Sequence, residues 1–68
     1  MEINNTNFIQ KVNESGMTLK EISEKAGVST STLSAVYHNK KDLNDRKISI
    51  VHKLAELFNC KMEDLYNE

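Results

Sequence analysis

Apolar residues recur along the chain at three- and four-residue intervals, and nowhere do they alternate as a strand would require. Phe8, Ile9 and Val12 share one face of a helix predicted from about Asn5 to Ser15, with Gly16 as its natural stop. Thr18-Leu19-Lys20-Glu21 reads as a capping box opening a second helix. Met17 before the cap and Ile22 in the first turn form a hydrophobic staple. Leu19, Ile22 and Ala26 make the buried stripe of that helix, and Gly27, free to take a positive φ, ends it. Val28 falls in the turn as an apolar plug, and Ser29 caps a third helix. Leu33, Val36 and Tyr37 turn inward there, leaving Thr30, Ser31, Ser34 and Ala35 outside. A polar loop spans His38–Asp45. Asp45 then caps a fourth helix, Arg46 to Phe58, whose apolar face is Ile48, Val51, Leu54, Ala55 and Phe58. Asn59 is a left-handed stop, and a short fifth helix over Met62–Tyr66 returns Met62, Leu65 and Tyr66 to the core.

The fold class this predicts is all-α, as one domain over 1–68. At 68 residues, without proline and with 28% charged residues, the chain describes a small helical domain rather than a fibrous or disordered one. Only about 60% of the unfolded surface can be buried at this size. The lone Cys60 has no disulfide partner and reads as a small buried apolar residue, which fits a reducing cytosol. No apolar run is long enough to cross a membrane, and MEINNTNF lacks a signal pattern, so a cytoplasmic, nucleoid-associated protein is expected. A starting Met and an ending without a linker suggest a whole protein.

Net charge is −1, which by itself argues mildly against nucleic acid. Its distribution changes that picture. Residues 37–53 carry Lys40, Lys41, Arg46, Lys47 and Lys53 against Asp42 and Asp45, whereas the last fifteen residues are acidic. The basic segment directly follows the third helix.

A helix, a three-residue turn beginning with glycine, and a second helix make a helix-turn-helix unit over about 18–37. In that unit the second helix enters the DNA major groove. Short outer side chains let its backbone settle deep in the groove, where Ser and Thr hydroxyls reach base edges and methyls meet thymine. Thr30, Ser31, Ser34 and Ala35 are therefore the candidate base contacts. Thr18, Ser29, Tyr37, His38, Asn39, Lys40, Lys41, Arg46 and Lys47 are the candidate phosphate contacts, giving affinity rather than sequence choice. Tyr37 is balanced between core packing and a hydroxyl reaching the DNA backbone.

The run MTLKEISEKAGVSTSTLSAVYHNKK followed by ISIVHKLAELFNCKMEDLY resembles the Cro/cI-type (XRE-like) helix-turn-helix family of phage and bacterial regulators. Gly27, Val28, Ile22, Ala26, Leu33 and Val36 stand where that family has their like. The resemblance implies a compact five-helix, lambda-repressor-like domain. It further implies a repressor binding double-stranded DNA as a homodimer. The chain departs from the family at Leu19, where Gln is common, and at Thr30 and Ser31, where Gln or Arg is frequent.

No nucleophile–base pair, phosphate loop, paired carboxylates or clustered metal ligands can be read, so no enzyme activity, cofactor, metal site, membrane association or small-molecule ligand is expected. His52 reads as a surface residue. The other function class left open is a protein-interaction module on the same scaffold, of antirepressor or antitoxin type. Its candidate surface is the acidic end, with Leu57 and Met62–Tyr66. Affinity for duplex DNA at low salt separates the two.

Overall fold

Four α-helices carry the chain: α1 (Thr6–Ser15), α2 (Leu19–Ala26), α3 (Thr30–Tyr37) and α4 (Ile48–Phe58). The computed structural model describes residues 3–67. Short 3-10 turns at Leu43–Asp45 and Met62–Asp64 complete it, and no strand occurs among the described residues. α2 packs on both α3 and α4, and α1 packs against α3.

Each element delivers one or two large side chains to a single cluster. Phe8, Ile22, Leu33, Leu43, Leu54 and Leu65 are all at 0–1% exposure, with Val36 and Val51 beside them. Full burial of such side chains stabilises by about 1.5–3 kcal/mol each. Phe58 lies edge-on to Phe8, ring centroids 6.5 Å apart, at the rim of this cluster. Asn59, at φ 54, ends α4 in the left-handed conformation expected of it. The N–H of Cys60 reaches back to the Ala55 carbonyl and that of Asn59 to Glu56, which closes the helix end.

Three expectations are corrected. The fourth helix starts at Ile48, and Asp45 does not cap it. Leu43 is fully buried and draws the loop inward, so Leu43–Asp45 form a turn of their own, capped by the Asp42 side chain on the Asn44 N–H. Arg46 is then extended, with ψ 158, and helical geometry resumes only after Lys47, which offers no side-chain cap. Second, Ile48 is 71% exposed, not part of the apolar face. The buried stripe of α4 begins at Val51, and the first turn overhangs the core. Third, the fifth helix is only the 3-10 turn Met62–Asp64. Leu65 reaches the core from it, but the chain then turns so that Asn67 pairs with Asn44, which a continuing helix would prevent.

Candidate nucleic-acid interface

The α2–turn–α3 unit is built by local chemistry. The Thr18 hydroxyl accepts the Glu21 N–H at 3.1 Å, and the Glu21 carboxylate accepts the Thr18 N–H at 3.2 Å. This reciprocal pair fixes the start of α2, while Ile22 is buried at its centre and Leu19 and Ala26 pack partly beneath. Gly27 takes φ +71 and donates its N–H to the Ser23 carbonyl at 2.9 Å. Val28, 5% exposed, fills the corner between the helices. Ser29 then caps α3. Its oxygen accepts the Thr32 N–H at 3.2 Å, and its hydroxyl donates to the Thr32 oxygen at 2.9 Å.

Leu33 and Val36 anchor α3 from below. Thr30 and Ser31 stand exposed at its N-terminal end, and Ser34 and Ala35 are partly covered. All four side chains of this face are short. Tyr37 packs partly on the core and donates its hydroxyl to the Asn13 side chain of α1 at 2.9 Å. The exposed His38 ring meets the Tyr37 ring edge-on, centroids 5.4 Å apart.

The end of α3 fixes the basic loop. Asn39 adopts φ +57, donating to the Val36 carbonyl, and the Lys40 and Lys41 N–H groups both reach the Ala35 carbonyl at 2.8 and 3.1 Å. This is a Schellman-type stop with asparagine in the left-handed position. The backbone of the two lysines is thereby tied to α3, and their side chains remain exposed. Asn39 itself is engaged inward, its side-chain oxygen accepting the Asn5 N–H at 2.8 Å. Arg46 is half-buried, with an Nε that finds no partner among the described residues, and Lys47 is exposed at the uncapped start of α4. Among the described residues the one contact of salt-bridge length is His52 Nε2–Glu56 Oε1 at 2.8 Å on α4, and none of the four loop cations lies that close to a described carboxylate.

Two residues that matter here carry no signal in the periodicity. Asn5 is fully buried and serves as a hub: its side chain donates to the carbonyls of Val36 and Lys41 and accepts from the Leu43 N–H and the Asn67 amide. Leu43, a lone apolar residue in a polar loop, is the loop's core anchor. Its isolation between Asp42 and Asn44 was the available hint.

Cys60 is half-buried rather than fully inside, and burial pushes its thiol above the ordinary cysteine range. Lys11 opposes this, and Asp64 adds to it. Among the described residues no group of His, Cys, Asp and Glu could hold a metal, and no helix is long and apolar enough to cross a membrane.

The model of the Cro/C1-type HTH DNA-binding domain matches residues 9–67. The chain therefore belongs to the Cro/C1-type helix-turn-helix family, a class of double-stranded-DNA-binding transcription regulators. No curated protein and no solved structure matches it significantly.

Proposed function

We propose that the protein is a repressor acting on a phage or bacterial promoter, binding a palindromic operator as a homodimer. Its place of action is the cytoplasm, on the nucleoid. The observation that carries this reading is the pairing of surfaces at the two ends of α3. One is a short-chained face of Thr30, Ser31, Ser34 and Ala35; the other is a cationic loop that meets no carboxylate among the described residues. The first lets the helix approach base edges. The second lies along phosphate and releases counterions. Thr18 and Ser29 cap the two helix starts that would face the strands, so their neighbouring amides supply further phosphate donors. His38, Lys40, Lys41, Arg46 and Lys47 complete the backbone contacts on this reading, whereas the Tyr37 hydroxyl proton is given to Asn13 and Asn39 is turned toward Asn5, so these two expected contacts are not among them. The half-sites lie about one helical turn apart, as the docking of paired recognition helices requires.

The test is selection of bound duplexes from a random pool at two salt concentrations. An enriched palindrome is expected, and its spacing reports the dimer. Replacing Lys40 and Lys41 together by alanine weakens binding to every duplex alike and flattens the salt slope, while Thr30→Ala or Ser34→Ala shifts the preferred sequence. No retention at low salt overturns the proposal.

A further inference from the structure

The loop between α3 and α4 holds four cations but has one apolar anchor, Leu43. A loop so lightly anchored would ordinarily be ordered only on binding, with an entropic loss for each residue fixed. Here the two ends of the described chain hold it instead. Asn5, at the start of α1, donates to the Lys41 carbonyl at 2.8 Å and accepts the Leu43 N–H at 3.0 Å. It also donates to the Val36 carbonyl at 2.8 Å, so the same side chain grips the end of α3. Asn67, past the last turn, donates to Asn5 at 2.7 Å and to Asp42 at 2.9 Å. Its backbone N–H and carbonyl pair with the Asn44 side chain at 2.8 and 3.0 Å.

The chemistry of this clamp is as telling as its geometry. Every tie to the loop uses neutral amides or the backbone, except Asp42, whose carboxylate accepts only neutral donors, from Asn44 and Asn67. Carboxylates pairing with Lys40 or Lys41 would order the loop equally well but cancel the charge that phosphate needs. Amides order it and leave the charge intact. We infer that Asn5 and Asn67 are positioning residues for DNA binding: a neutral latch that pre-orders the basic loop of residues 39–46 for phosphate contact. The inference rests on the DNA-binding reading above.

The test uses Asn67→Ala in the full chain, since Asn5 is too deeply buried for its replacement to be read cleanly. At a temperature where circular dichroism shows the variant folded, duplex affinity falls about tenfold at every salt concentration, the scale of one lost hydrogen bond to binding. The salt slope stays that of the parent, because the same phosphates are still met. The deciding arm is a double-mutant cycle. In a background of Lys40→Ala with Lys41→Ala, Asn67→Ala changes affinity less, because two of the four cations of the loop it orders are gone. An equal loss in both backgrounds, or no loss in either, overturns the latch. Hydrogen exchange without DNA gives an independent arm: the Leu43 and Asn44 amides exchange faster in the variant if the latch holds the loop, and unchanged exchange overturns it. A parent protein that retains no duplex overturns the DNA-binding reading instead, and the exchange arm still reports on the clamp.

Discussion

Replacing Asn5 by alanine is the most demanding perturbation of this fold. The side chain makes four hydrogen bonds while fully buried. The Val36 carbonyl keeps another donor, the Asn39 N–H at 3.1 Å, and the Asn67 amide keeps Asp42. The Lys41 carbonyl and the Leu43 N–H keep no other hydrogen-bond partner among the described residues. A group left unsatisfied in a buried site costs about 1–3 kcal/mol; the buried Leu43 N–H bears that in full and the part-buried Lys41 carbonyl only a share, so the expected loss is roughly 2–4 kcal/mol. A domain of this length has only about 3–10 kcal/mol in all. With a urea m-value near 1 kcal/mol/M, the unfolding midpoint drops by about 2 M or more. Asn5→Asp sharpens the test. It keeps an acceptor for Leu43 but turns a carboxylate oxygen toward the Val36 and Lys41 carbonyls. Burial and those oxygens raise its folded pKa above the unfolded value. Its stability is therefore greatest at low pH and declines as pH rises through the unfolded carboxylate range. Urea melts of both variants between pH 4 and 7 read all of this. A loss under about 1 kcal/mol for the alanine variant, or an aspartate variant with no relative gain on acidification, refutes the hub as a source of stability.

Other consequences can be checked in the same way. Leu43→Ala removes a fully buried side chain and should cost about 2–5 kcal/mol in a chemical melt, which a merely solvated loop residue would not. Gly27→Ala meets no atom within 4 Å at the added carbon, so its cost is confined to the φ of +71. A loss of about 1–2 kcal/mol is expected, and a much larger one would point to a clash. Cys60, with its thiol pushed up by burial, is alkylated more slowly at neutral pH than a free cysteine. Because the folded pKa lies above the unfolded one, this thiol favours the fold fully below the unfolded pKa, and that contribution falls as pH rises through it. A rate and a stability profile matching an exposed thiol would contradict the half-buried placement of Cys60 against the core.

What the linear sequence determined are the features in which cause and effect sit within a few residues. Thr18 and Glu21 meet because helical geometry places them three apart, and Gly27 and Asn59 stop helices by their own backbone freedom. The inward faces of α2 and α3, and the outward set Thr30 and Ser31, follow from the same period. The basic loop following α3 was equally legible as a count of charges. Tertiary structure decided what distance along the chain conceals. Asn5 looks like an ordinary helix-start asparagine, and only folding brings it to residues 31 to 62 positions away. Leu43 looked solvated because its neighbours are polar; burial overruled them, and by drawing the loop inward it moved the start of α4 past Asp45. Ile48 fitted the apolar stripe by period, yet periodicity fixes only the direction of a side chain around its helix, not whether a core lies opposite. The short last turn has the same origin: Asn67 is held by Asn44, a partner that no local pattern could nominate.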